Sequence, residues 1–401
     1  MITFVRREIN MDIKELKCGL ARELKGDILP FWMERMKDPS GGFYGRIDGT
    51  GKRDADAPKG GILNARILWT FASAARLFGE EPYFKTAARA FSEIRDRFQD
   101  PEYGGIYWSL DASGKPLETK KQFYAIAFAI YALAEYFRAC GDREALDLAI
   151  RFWCSIEDHS YDALRDGYLE AATREWAPIA DMRLSEKDRN DAKTMNTHLH
   201  ILEGYTGLYR VWKDRTLGKR LEGLIRIFLD RIIRPDGHLG LFFDEDWNPT
   251  SETVSYGHDI EASWLLYEAA EVLGNKDLIE EVRAATVRLS DAALEGYRED
   301  GSMVYESDPV TGHTDTDRHW WVQAETVVGC LNRARISGDG EWAERAIRSW
   351  DFIRNHLLSP DGEWYWSVRE DGSLNLDEDR AGFWKCPYHN GRMCMEIIEY
   401  Y

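Results

Sequence analysis

The sequence predicts an all-α protein built from six repeats closed into a ring. Three observations carry this expectation. First, a glycine-centred turn flanked by aromatic residues recurs near Gly41, Gly104, Gly167, Gly237, Gly301 and Gly362, at spacings of 63, 63, 70, 64 and 61 residues. Self-similarity at a near-constant period marks a repeat architecture. Second, two helical patterns lie between successive turns, joined by short links such as GEEP, CGDRE, LGNKD and SGDGE. Third, the two patterns differ in character. QFYAIAFAIYALAEYF (Gln122 to Phe137) and WWVQAETVVGCL (Trp320 to Leu331) are apolar nearly all round, whereas REALDLAIRFW and KDLIEEVRAATVRL carry charge along one face. The first kind belongs inside and the second outside. Six inner helices within six outer ones make an (α/α)6 barrel of twelve helices. An open helical solenoid is the alternative.

The long links, such as DPSGGFYGRIDGTG, alternate aromatic and polar residues around D-G and S-G turns and predict short β-hairpins. Each precedes an inner helix, so all six hairpin loops fall at one end of the barrel, around the N-termini of the inner helices. Those N-termini carry unpaired N–H groups and positive dipole ends, suited to stabilising negative charge. Residues 11–401 read as one catalytic barrel domain preceded by an N-terminal extension at 1–10, with Met11 a second candidate start.

Composition bounds the function. The 401 residues are 44% hydrophobic and 30% charged, a globular balance. With 52 Lys and Arg against 70 Asp and Glu, the net charge of −18 lacks the basic footprint that nucleic acid or an anionic membrane requires. No apolar run has the length of a transmembrane helix or of a signal-peptide core. Six cysteines without a CxxC pair point to a reducing, cytoplasmic compartment. The 15 Trp, 19 Tyr and 17 Phe mostly fill a core, and some can stack on sugar rings. The expected state is a monomer or weak homo-oligomer.

The first turns of the inner helices are unexpectedly polar. Arg66 lies on the second helix and Tyr124 on the fourth. Asn196, His198 and His200 lie on the sixth, and GHDIEASWLL opens the eighth with His258 and Glu261. Arg318, His319, Trp320 and Trp321 start the tenth, and WKCPYHNGRM brings Trp384, His389 and Arg392 to the twelfth. Buried polar groups are paired or functional. Histidines from three inner helices therefore converge on one end. Asn196 and His200, four residues apart, share a face, which favours His200 over His198. Glu261, three residues after His258, is placed to orient that imidazole. His159, His238, His313 and His356 read as surface residues. No HExxH or Walker motif occurs, so neither a metal nor a phosphate-bearing cofactor is expected.

MNTHLHILEGYTGLY, GHDIEASWLLYEAA and FWKCPYHNGRMCMEI resemble the cellobiose 2-epimerases of the N-acylglucosamine 2-epimerase superfamily, from about Met11 to the C-terminus. The resemblance implies the (α/α)6 barrel and cofactor-independent epimerisation at C2 of the reducing-end glucose of β-1,4-linked disaccharides. It implies His258 and His389 as the paired acid/base residues, with His200 and Arg66 beside them. Tyr124, Asp188, Asn196, Glu261, Trp321 and Trp384 become the substrate-binding residues, the two tryptophans contacting sugar. Histidine suits proton transfer at C2 because its ordinary pKa of ~6.5 lies near working pH. Whether two histidines serve opposite faces, or one serves both after rotation about C2–C3, stays open. Two rivals share the fold: an aldose–ketose isomerase using the same enediol, and a glycoside hydrolase drawing two carboxylates from Glu261, Asp259, Glu325 and Asp188. A non-catalytic helical scaffold is a third.

Overall fold

The computed structural model describes residues 2–186 and 188–401, with side chains from residue 13 onward. Of the expected extension at 1–10, Met1 and all the side chains lie outside the described residues. The outer helices are α1 (Ile2–Glu23, continued through a π turn at Leu24–Ile28 into Leu29–Glu34), α3 (Glu81–Glu93), α5 (Arg143–His159), α7 (Arg215–Ile227), α9 (Lys276–Ala293) and α11 (Gly340–His356). The inner helices are α2 (Gly61–Phe78), α4 (Phe123–Cys140), α6 (Met195–Val211), α8 (Tyr256–Leu273), α10 (Trp320–Ser337) and α12 (Tyr388–Tyr400). Each inner helix packs on the next, and α12 packs back on α2, so the ring is closed. This is the (α/α)6 barrel that the repeat predicts.

The short links follow from two residue types. Gly79, Gly141, Gly274 and Gly338 end α2, α4, α8 and α10 in the left-handed conformation, with φ of 70°, 74°, 82° and 71°. Only glycine takes that conformation at no steric cost. Asp142, Asp214, Asn275 and Asp339 then cap α5, α7, α9 and α11 by accepting N–H groups of the next turn. Helix α4 is long and apolar enough to cross a membrane by composition, but it is buried between α2 and α6.

The loop strands differ from the local hairpins expected. Hairpins are present, as at Arg46–Ile47 with Arg53–Asp54 and Glu306–Asp308 with His313–Asp315. The two residues before each of five inner helices, however, pair with the following loop. Lys59–Gly60 pairs with Ser109–Leu110, Lys121–Gln122 with Ala171–Ala172, and Lys193–Thr194 with Phe242–Phe243. Val254–Ser255 pairs with Glu306–Asp308 and Arg318–His319 with Ser367–Val368, while an Ile47–Ala381 bridge joins the last loop to the first. The mouth is thus ringed by antiparallel joints between neighbouring repeats. Buried lysines reinforce three of the loops: Lys59 reaches Asp38, Lys121 reaches Asp100 and Lys193 reaches Asp162, at 2.8, 2.9 and 3.1 Å.

Candidate active site

Helix periodicity places the site. The sixth residue is Arg66 on α2, Phe128 on α4, His200 on α6, Glu261 on α8 and Glu325 on α10, and the fifth on α12 is Arg392, all second-turn and buried. Arg392 ties this tier together. Its Nη2 donates to Glu261 and to Glu325, both at 2.7 Å, and its Nη1 donates to Glu203, which also accepts from the Tyr388 hydroxyl.

Three imidazoles sit on this platform, each held through Nδ1. His200 Nδ1 lies 2.9 Å from Glu203, His389 Nδ1 lies 2.7 Å from Glu325, and His258 Nδ1 lies 2.8 Å from the Ser255 hydroxyl. His258 and His389 both pack on the Trp321 indole, with ring centroids 4.8 and 5.6 Å from it, so their separation cannot exceed the sum of those distances. His200 packs against Tyr124 and Phe128 at 4.9 and 4.6 Å. Tyr124 lies 6.2 Å from half-buried Trp384, and accepts from Arg66 Nη2 at 2.7 Å. Arg66 makes no ion pair among the described residues, and its Nε has no partner. Its guanidinium rests over the Phe128 ring at 4.1 Å. A buried cation without a counter-ion is costly unless a ligand supplies acceptors.

A cleft of about 770 Å³ opens beside this cluster, lined by His258, Asn196, Asp188, Glu170, Tyr305 and Glu306, among others. The Asn196 side-chain oxygen is buried without a partner, whereas Asp188 is held by Ser185 in its own loop. The candidate residues thus fall into three adjoining groups. His258, Asn196 and Asp188 line the cleft; Trp321 packs on both His258 and His389, with Glu261 3.9 Å from His389; Arg66, His200 and Trp384 gather around Tyr124, and neither of these last two groups lines the cleft itself.

Two expectations are corrected. Glu261 does not orient His258: the guanidinium of Arg392 captures it, and its nearer histidine is His389, at 3.9 Å. His238 is buried, not surface: its Nδ1 lies 2.7 Å from Asp259, which also accepts the Leu239 N–H. His198 spends both nitrogens on backbone, on Thr194 O and on the Tyr168 N–H, so it is structural. Glu203 and Ser255 are not singled out by the sequence; Glu325 is offered there only as a carboxylate for the rival hydrolase, and Arg392 is named at the twelfth helix without a role. A charged residue one or two turns into an otherwise apolar helix was the available signal for Glu203, Glu325 and Arg392.

Burial dominates the electrostatics. It raises Glu261 to about 8, helped by Glu325 and opposed by Arg392. Burial also opposes ionisation of Glu325, but Arg392 and the bond from His389 hold it at about 2. The ligand atoms of Glu261, Glu325 and His389 lie within 4.8 Å of one another, a spacing a metal could use, yet the Arg392 cation already bonds both carboxylates.

These shifts predict how stability varies with pH. Burial lowers His198 to about 4 and His258 and His389 to about 3, against 6.5 ordinarily. As pH falls below 6.5 the unfolded chain binds protons first, so stability is lost. Burial raises Glu170 and Glu261 to about 8, against 4.5 ordinarily. As pH rises above 4.5 the unfolded chain releases protons first, so stability is lost up to about 8. The two effects oppose each other between about 4.5 and 6.5, and only the carboxyl effect continues above that range. Calorimetry at fixed ionic strength is expected to find the highest thermal midpoint inside that window and a falling midpoint from about 6.5 to 8.

Comparison with known proteins places the chain in a family. The profile of N-acylglucosamine 2-epimerase (GlcNAc 2-epimerase) matches residues 42–391. The chain belongs to the N-acylglucosamine 2-epimerase family. It is an isomerase. A cellobiose 2-epimerase of Bacteroides fragilis is 58% identical over 386 residues, covering 96% of this chain and 98% of that protein. One of Ruminococcus albus is 41% identical over 382 residues, covering 94% and 97%. The solved structure of a cellobiose 2-epimerase from Bacillus thermoamylovorans B4167 superposes with a TM-score of 0.92 at 38% identity, covering 100% of both chains. Among family members this chain therefore keeps company with epimerases along its whole length.

Proposed function

We propose that this family member epimerises C2 of the reducing-end glucose of β-1,4-linked disaccharides, converting cellobiose to glucosyl-mannose and lactose to epilactose. The observation that carries the reading is the pair His258 and His389. Both imidazoles pack on one indole, and each has Nδ1 tied back, leaving Nε2 for a substrate.

The chemistry follows from the acidity of C2. In the open-chain aldose the C1 carbonyl accepts the electron pair released when C2 loses its proton. One imidazole takes that proton, the pair moves into the C1–C2 bond, and negative charge develops on the C1 oxygen. Arg66, buried and without a counter-ion, stabilises that oxygen; one well-placed donor is worth roughly 3 kcal/mol. Returning a proton to the opposite face of C2 completes the inversion, whereas a proton at C1 would give a ketose. His200, backed by Glu203, assists ring opening. Half-buried Trp384 offers a face to a sugar ring, and buried Trp321 backs the two histidines.

Hydrolysis is less well supported. Glu261 and Glu325 bond the same Arg392 nitrogen, so neither is free to flank a glycosidic bond as acid and nucleophile. A sugar phosphate is also a poor fit. Arg183 and Arg189 at the cleft are already paired with Asp181 and Asp191, and the cleft otherwise carries carboxylates. Incubation with cellobiose and with lactose in D2O, followed by NMR, tests the reading. The expected products are the 2-epimers with deuterium at C2. Free monosaccharides would mean hydrolysis, and a ketose as main product would mean an aldose–ketose isomerase.

A further inference from the structure

Ser255 is the N-cap of α8, a position whose side-chain oxygen ordinarily accepts an N–H from the first turn. Thr194 occupies the same position on α6 and does this, accepting the Thr197 N–H at 3.1 Å. Ser255 makes no such cap. Its hydroxyl instead lies 2.8 Å from Nδ1 of His258, three residues on. A stabilising local bond is given up beside the reacting groups, and such a departure from local rules marks a functional position.

The hydroxyl is fully buried, and among the described residues His258 Nδ1 is its hydrogen-bond partner. A serine hydroxyl has one hydrogen to donate. Donating it to Nδ1 satisfies both groups. Accepting from an Nδ1–H instead would leave a buried O–H without an acceptor, which is costly. A neutral imidazole whose Nδ1 accepts carries its hydrogen on Nε2. His389 is the reverse case. Glu325 is ionised and can only accept, so His389 carries its hydrogen on Nδ1 and presents a bare Nε2.

We propose that Ser255 is a positioning residue that holds neutral His258 as the Nε2–H tautomer, so that the two histidines of the proposed reaction rest as opposite tautomers. His258 then offers the sugar a hydrogen-bond donor, and His389 offers it a lone pair. The inference rests on the C2-epimerase reading for its purpose, but not for its structural content.

The test is 15N NMR of the full chain labelled at histidine, near neutral pH, with signals assigned through His258→Gln and His389→Gln. His258 is expected to be protonated on Nε2 and His389 on Nδ1. In Ser255→Ala, His258 is expected to become a mixture of tautomers, with kcat down about tenfold or more and KM little changed, the scale seen when a histidine loses its orienting partner. Ser255→Thr is expected to restore both the spectrum and kcat. A wild-type His258 protonated on Nδ1 would overturn the proposal, as would Ser255→Ala with unaltered tautomer and kcat. If Ser255→Ala does not fold, the wild-type spectrum decides. A wild-type enzyme with the expected tautomers but no epimer product would overturn the proposed function and leave this assignment standing.

Discussion

His389→Ala and His258→Ala are each expected to lower kcat for epimerisation by about 100-fold or more, because that is what a lost general acid or base typically costs. The barrel should stay folded in both. His258 is partly exposed to the cleft and bonds a single hydroxyl. Removing His389 leaves Glu325 still bonded to Arg392 and to the Trp264 indole N–H, at 2.7 and 3.0 Å. Epimer formation followed by NMR, with the thermal midpoint as a control for folding, checks both variants. More than about a tenth of wild-type activity in either would refute its acid/base role.

Arg392→Leu is expected to produce the largest loss of stability in the molecule, about 3–5 kcal/mol, the cost of removing one partner from a buried ion network. The guanidinium is fully buried and bonds Glu203, Glu261 and Glu325, which come from three different inner helices. Without it, Glu203 and Glu325 lose their counter-charge in a medium that cannot solvate them. Lysine is no substitute, because an ammonium lacks the planar fork that reaches several carboxylates at once. Denaturant titration measures the effect, and a loss below about 1 kcal/mol would remove Arg392 from the centre of the barrel's polar tier.

Much of this was legible in the chain because the repeat fixes direction. Once each long loop precedes an apolar helix, every inner helix begins at the same end, and Arg66, His200, His258 and His389 must meet there. The short links between paired helices were legible too, since GEEP, CGDRE, LGNKD and SGDGE each interrupt the helical pattern within a few residues. Long-range competition was not legible. Glu261 lies one helical turn from His258, and spacing alone pairs them; Arg392, 131 residues further on, wins because it brings a full charge into a buried site. His238 sits in a loop and reads as exposed, until Asp259 from the start of α8 reaches it. The pairing of each loop with the next depends on segments some fifty residues apart, and alternation within one loop gives no sign of it.

The joints around the mouth also limit how relatives of this protein can be recombined. A loop transplanted alone would carry one half of a joint and meet a foreign half, because Lys121–Gln122 belongs with Ala171–Ala172 and Lys193–Thr194 with Phe242–Phe243. Hairpin tips that line no cleft, such as the Asp111–Lys115 turn, carry no half of a joint and can vary. Loop bases can be exchanged only as consecutive pairs: a cut inside an outer helix parts the two halves of one joint, whereas a cut between Phe243 and Val254 parts none of the five, so chimaeras joined there should assemble where chimaeras joined inside an outer helix fail.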